Sequence, residues 1–178
     1  MLAKRLFIGI LLIATSSQAQ VIGFTECIYN VQFAVPFDML LQYDGPDDIL
    51  GAAVRISGIP IAWIHTVTPP PHINPCGMED CDLFINGAYL TYPECQTTPP
   101  VQLFQITIVP TTVESNLVFS PEKPLDSPID CPFVTLCDEP VFTMMCVGCD
   151  QAFVNHSDPT CSVAVEETTW TSVLGLYR

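Results

Sequence analysis

Apolar and polar positions alternate along much of the chain. Val31, Phe33, Val35 and Phe37 are separated by Gln32, Ala34 and Pro36. Leu50, Ala52, Val54 and Ile56 are separated by Gly51, Ala53 and Arg55, and Phe104, Ile106 and Ile108 by Gln105 and Thr107. A period of two sends successive side chains to opposite faces of an extended backbone, so each run predicts a half-buried strand. Pro36 has no amide hydrogen to give a ladder, which predicts an edge position or a bulge for its strand. Further strands are predicted near residues 21–29, 61–67, 117–119, 141–147, 152–154 and 161–165. Loops are predicted at Asp44-Gly45-Pro46-Asp47-Asp48 and at residues 68–75, 97–100 and 120–132, where Gly, Pro, Asp and Thr cluster. The pair Asn86-Gly87 predicts a two-residue type I′ hairpin, because both of its central residues need positive φ. The register would oppose Ile85 to Ala88, Phe84 to Tyr89 and Leu83 to Leu90. Leu83, Ile85, Ala88 and Leu90 would then share an aliphatic face, with Phe84 and Tyr89 on the other.

The two ends break this pattern. Lys4 and Arg5 precede an apolar run over residues 6–14, and Ser17-Gln18-Ala19 follows with small residues at the positions a signal peptidase reads. The run is too short to span a bilayer. Residues 1–19 are therefore expected to be a removed signal peptide, residues 20–165 a β-sandwich and residues 166–178 a C-terminal tail. In that tail Trp170, Val173, Leu174 and Tyr177 fall at i, i+3, i+4 and i+7, one stripe of a short helix with Thr168 or Thr169 as N-cap. So short a helix does not hold alone in water, so the stripe must cover something. It is expected either to lid the open end of its own domain or to act as a docking or sorting tail, helical or extended.

Composition fixes the compartment and removes several functions. Formal net charge is −14, and loss of residues 1–19 would leave Arg55, Lys123 and Arg178 as the basic residues against 19 acids. Nucleic acid requires a basic footprint that is missing here, and anionic lipid is disfavoured for the same reason. No later stretch predicts membrane insertion. The 17 prolines, spread through the chain, leave little room for helices. The nine cysteines, Cys27, Cys76, Cys81, Cys95, Cys131, Cys137, Cys146, Cys149 and Cys161, are disulfide candidates in an exported chain. Their pairing stays open at this point. One is left over, either buried and free or joining two chains.

Few residue sets offer chemistry. Cys146-Val147-Gly148-Cys149 has the spacing of a thiol oxidoreductase pair, but the surroundings are acidic, which raises a thiol pKa. Met144, Met145, Cys146 and Cys149 are soft ligands, yet adjacent methionines on a strand point to opposite faces. His72, Cys76 and Cys81 make half a zinc site without a second half. Asp44, Asp47 and Asp48 crowd one loop without EF-hand spacing and read first as turn formers, with calcium the ion to test. His156-Ser157-Asp158 holds three triad residue types side by side, and neighbours in sequence do not face one another. His65 lies in an apolar strand beside Trp63 and is expected to be a core or edge residue. Asn155-His156-Ser157 is a formal glycosylation acceptor in a eukaryotic route. Phe84, Tyr89 and Tyr92 could stack on sugars, although cross-strand aromatics mostly pack a sheet. No cofactor and no catalytic residue is expected.

Val31–Tyr43 (VQFAVPFDMLLQY) followed by Ile49–Pro60 (ILGAAVRISGIP) resembles the first strands of cohesin-type and immunoglobulin-like secreted bacterial sandwiches. Thr169–Arg178 (TWTSVLGLYR) is similar to short terminal segments on secreted proteins of environmental Gram-negative bacteria. The resemblance implies an all-β, immunoglobulin- or cohesin-like sandwich, and cohesin-type modules bind partner proteins. With about eight or nine short strands and turn signals between them, the pattern fits such a sandwich independently. The expectation is a secreted, non-enzymatic binding or structural module, extracellular, periplasmic or at the cell surface, with an unknown protein or carbohydrate partner. The alternatives are a subunit of an extracellular assembly or filament, self-associating through an unpaired cysteine or the tail, and a secreted hydrolase or thiol oxidoreductase using Cys146 and Cys149.

Overall fold

The computed structural model describes residues 20–71, 82–137 and 143–159. Twelve strands run in chain order: β1 Val21–Phe24, β2 Ile28–Tyr29, β3 Phe37–Asp44, β4 Ile49–Ser57, β5 Ile64–Thr68, β6 Ala88–Gln96, β7 Val101–Val109, β8 Leu117–Glu122, β9 Phe133–Leu136, β10 Met144–Cys146, β11 Gly148–Asp150 and β12 Ala152–Val154. The described residues contain no helix. One sheet has the order β11-β1-β3-β7-β5. The other has the order β10-β9-β4-β8-β12-β2, with β6 paired to β4. The fold is an all-β sandwich of these two sheets, supported by disulfides between Cys95 and Cys137 and between Cys131 and Cys146.

The predicted strand at residues 21–29 is in fact two. β1 pairs with β3 in the first sheet, and after Thr25-Glu26-Cys27 the chain enters the second sheet as β2. The C-terminal end mirrors this switch. β11 lies parallel to β1, and β12, one residue later, lies parallel to β2. Two chain ends thus cross between the sheets side by side, tied by the Phe153 amide donating to the Cys27 carbonyl at 2.7 Å.

The core lies between the sheets. Met39, Leu41 and Tyr43 of β3 and Ile106 and Ile108 of β7 meet Val54 and Ile56 of β4 and Phe119 of β8, all at most 1% exposed. The alternation read from sequence holds at Ala52, Val54 and Ile56, but a register shift between Ile49 and Gly51 puts Ile49, not Leu50, in the core. A second shift between Leu41 and Gln42 leaves Leu103 out of the pairing, so Leu103 and Phe104 are both buried. Such bulges place two residues opposite one and break the period of two. Phe37, Trp63 and Phe119 form an edge-to-face ladder at 6.4 and 6.3 Å across one end of the core.

Two sequence expectations are corrected. Val31–Pro36 is a loop with a turn at Phe33-Ala34, and the strand begins at Phe37. β3 lies between β1 and β7, so its interior amides serve two ladders, and Pro36 is left just outside. Asn86-Gly87 does not form a two-residue hairpin. Leu83–Asn86 coil in a turn closed by the amides of Ile85, Asn86 and Gly87 on the Asp82 carbonyl, at 3.1, 3.0 and 2.8 Å. The Asp82 carboxylate accepts from the Phe84 amide at 2.8 Å, the local capping bond that competes with strand pairing. Gly87 takes φ of 95° and Asn86 keeps φ out of the positive range that a type I′ turn needs. Phe84 consequently packs on His65 with ring centroids 4.1 Å apart, not on Tyr89. Cys76, Cys81, Cys161, His72, the predicted strand at 161–165 and the tail residues Trp170, Val173, Leu174 and Tyr177 lie outside the described residues.

Candidate binding face

The outward side of β4 and its neighbours carries a strip of small, polar and aromatic side chains on which a partner could rest. Ala53 stands between Tyr89 of β6 and Phe133 of β9. Gly51 stands between Thr91 and Thr135 in the same way. Because side chains two residues apart share a face, Gly51, Ala53, Tyr89, Thr91, Phe133 and Thr135 form one strip. Ala53 and Phe133 are buried yet stand apart from the core cluster between the sheets, which places a small second cluster on this side. Tyr89 and Phe133 flank Ala53 with centroids 6.3 Å apart, and Tyr89 remains 42% exposed. Met144, opposite Thr135, extends the strip and is 58% exposed. The small residues at 51 and 53 keep the surface flat. At Gly51 a Cβ would stand 2.4 Å from the Leu90 carbonyl oxygen, so the position is closed to larger residues.

Polar groups finish the face. Arg55 lies opposite Glu122 and forms an ion pair with it. Ser57 donates to the other oxygen of the same carboxylate at 2.5 Å. Arg55 Nε is buried and makes no hydrogen bond, so the guanidinium keeps one donor unused. Sequence reading singled out Tyr89 but not this cluster. The signal was there in Gly51, Ala53 and Arg55, the outward members of an alternation whose inward members are all apolar.

The other predicted sites come apart. Cys146 is bonded to Cys131, so it is not the redox partner of Cys149. Cys149 is a free, exposed residue; desolvation of its sulfur, then the charges of Asp150 and Glu122, raises its pKa to about 11, the reverse of nucleophile activation. The same disulfide removes Cys146 from any soft-metal set with Met144 and Met145, which point to opposite faces. Cys27 is also disulfide-bonded. Among the described residues no three His, Cys, Asp or Glu side chains converge on a metal position, those of Asp44, Asp47 and Asp48 included. Asp47 instead accepts a hydrogen bond from the Gln20 side chain, and the Asp48 carbonyl accepts from the Cys137 amide at 3.2 Å. Ser157 donates to Asn116 at 3.1 Å and His156 Nδ1 accepts from the Asp158 amide at 3.2 Å, so the three adjacent residues form no relay. Tyr92 is buried, donates to the Gln102 carbonyl at 2.5 Å and has its pKa raised by burial. With Phe84 on His65, the three proposed sugar-stacking rings form no common platform.

A shallow depression of about 300 Å³ lies on the other sheet, lined by residues including Thr25, Glu26, Asp38, Gln102 and Gln105. Asp38 there accepts from Thr107 at 2.6 Å.

No family model matches the chain, and no curated protein matches it significantly. Solved structures do match. A cohesin module from a family 33 glycoside hydrolase of Clostridium perfringens ATCC13124 superposes with a TM-score of 0.52 at 9% identity, over 78% of this chain and 98% of that one. The seventh ScaB type I cohesin of Pseudobacteroides cellulosolvens superposes with a TM-score of 0.54 at 11% identity, over 85% of this chain and 98% of that one. The class is thus a cohesin-like β-sandwich. At this identity the likeness is one of fold.

Proposed function

We propose that the protein is an exported, non-catalytic docking module that receives a partner protein on the outer face of β4, β6 and β9. The strip of Tyr89, Ala53, Gly51, Thr91 and Met144 carries this reading. It is flat, uncharged and aromatic at its centre, with the Arg55–Glu122 pair at its rim, the anatomy of an interface core and border. The cohesin-like fold supports it, since cohesin-type modules bind partner proteins. Export is supported by the two disulfides and by the expected signal peptide. Among the described residues no helix is long and apolar enough to cross a membrane.

The test is affinity capture of secreted proteins from the source organism, with three baits: the parent, Thr91→Arg on the proposed face and Gln105→Arg on the opposite sheet. A protein retained by the parent and the Gln105→Arg bait but lost by the Thr91→Arg bait is expected. Equal retention by all three baits would exclude this face, and turnover of a substrate by the purified parent would exclude a non-catalytic role.

A further inference from the structure

We infer that the C-terminal segment, residues 160–178, docks through Trp170, Val173, Leu174 and Tyr177 on an apolar loop cluster at one end of its own sandwich. Three loops build that cluster, residues 30–36, 58–63 and 110–116. They are bonded to one another: the Ala34 amide donates to the Pro110 carbonyl at 2.8 Å, Thr111 Oγ1 to the Ala62 carbonyl at 2.6 Å, and Trp63 Nε1 to Thr112 Oγ1 at 3.0 Å. Phe33, Val35, Ile61 and Val113 stand on them, exposed by 62%, 50%, 104% and 81%. Isolated exposed apolar residues are ordinary, but four on linked loops form a patch of the kind that marks a contact. The charge distribution singles out the same place. Loops 30–36 and 58–63 contain no charged residue in a chain with 19 acids, and loop 110–116 contains one, Glu114.

The occupant follows from where the chain leaves. After β12, Asn155 is held at the same end by the Val31 amide, which donates to its Oδ1 at 2.8 Å, and by its own Nδ2, which donates to the Glu114 carbonyl at 3.1 Å. The Ser157 amide then donates to Asn116 Oδ1 at 3.0 Å. Pro159, the last residue described before the C-terminus, therefore exits two residues from a contact with the cluster. Ten residues, 160–169, lie between it and Trp170. Extended, they reach up to roughly 35 Å, ample to return to Phe33 or Ile61. Residues 168–177 are themselves uncharged and carry the stripe. Tethering holds such a segment at about millimolar effective concentration, which favours it over a free competitor.

The chain has two tryptophans, Trp63 in the core and Trp170 in the tail. Subtracting the emission of a Trp170→Phe variant of the Gln20–Arg178 chain from that of the parent isolates Trp170. Its emission is expected at the blue, apolar end in the parent and shifted to the red by Ile61→Asp with Val113→Asp. Both positions are exposed, so this double variant should still fold and melt cooperatively, below the parent only by what the docked tail contributes; a Thr91→Arg variant, which tests the proposed sheet-face partner, should leave the emission unchanged. Emission typical of solvent-exposed tryptophan in the parent, or no response to the double variant, overturns the inference. So does a blue shift that fades on dilution together with a dimer, which would assign the patch to the tail of a second copy.

Discussion

The backbone amide of Val31 donates to the side-chain oxygen of Asn155 at 2.8 Å, joining residues 124 positions apart. The other side-chain atom, Nδ2, donates to the Glu114 carbonyl at 3.1 Å, and the Asn155 amide donates to the Tyr29 carbonyl at 2.9 Å. One asparagine thus ties the end of β12 to two loops. Its φ of 47° suits it, since asparagine tolerates the left-handed region better than most residues. Asn155→Asp keeps the acceptor but sets a carboxylate against the Glu114 carbonyl. Asn155→Gly relieves the backbone and loses both side-chain bonds. Each is expected to lower stability by about 1 kcal/mol in urea titration, the net worth of hydrogen bonds lost at a partly buried site. Full stability in the Asn155→Gly variant would show that the conformation, not the bonding, selects asparagine. The engaged Nδ2 also closes the formal glycosylation acceptor in the folded chain.

The two described disulfides should differ in weight. Cys95–Cys137 spans 42 residues and Cys131–Cys146 spans 15. Loop-closure entropy gives about 4 kcal/mol for the longer and about 3 kcal/mol for the shorter. Paired Cys→Ala replacement is expected to reproduce this order in denaturant midpoints. A larger loss at the short loop would mean that packing around Cys131 and Phe133, not chain entropy, sets its contribution.

How much of this was legible in the sequence depends on which force decided each segment. Ile106 and Ile108, and Val54 and Ile56, were legible because burial alone orders them. Residues 31–36 show the same alternation and form a loop, since alternation does not report whether neighbours exist on both sides of the chain. The bulges at Leu41/Gln42 and Ile49/Gly51 depend on cross-sheet register, which no local pattern encodes. At Asn86-Gly87 the turn chemistry was right in needing a glycine with positive φ, but Asp82 capped the preceding turn first. The proposed binding face was half legible. Tyr89 stood out as an aromatic and Ala53 was readable as an outward member of its alternation, whereas Phe133 joins them only once β4 lies between β6 and β9.

Gly87 offers a direct check of that turn. Its φ is 95°, and a Cβ added there would lie 2.8 Å from the Cα and Cβ of Pro124. Gly87→Ala therefore adds both backbone strain and a clash with a rigid ring, at a cost of about 1–3 kcal/mol. In a chain of this size that is expected to lower the melting temperature by roughly 2–12 °C in calorimetry. An unchanged melting temperature would show that the loop around Pro124 yields freely.

The free thiol gives the last test. Partial desolvation of the sulfur in this otherwise exposed residue, then Asp150 and Glu122, raises the Cys149 pKa from the ordinary 9.0 to about 11. At pH 8 the thiolate fraction falls roughly a hundredfold for a shift of that size. The more basic thiolate is a better nucleophile, which offsets part of this, so alkylation by iodoacetamide should run about tenfold slower than in a free peptide. The rate should keep rising to a midpoint near pH 11. The sign for stability follows from the same shift. Between the unfolded and folded pKa values the unfolded chain has lost the proton and the folded chain retains it, so stability falls as pH rises. Tyr29, raised to about 12 chiefly by burial and then by Glu26, acts in the same direction above pH 10. Urea midpoints should decline above about pH 9, with Cys149→Ser removing the early part of the slope. Rapid alkylation at neutral pH, or a midpoint that rises with alkali, would mean that the sulfur is far better solvated than its place beside Asp150 and Glu122 implies.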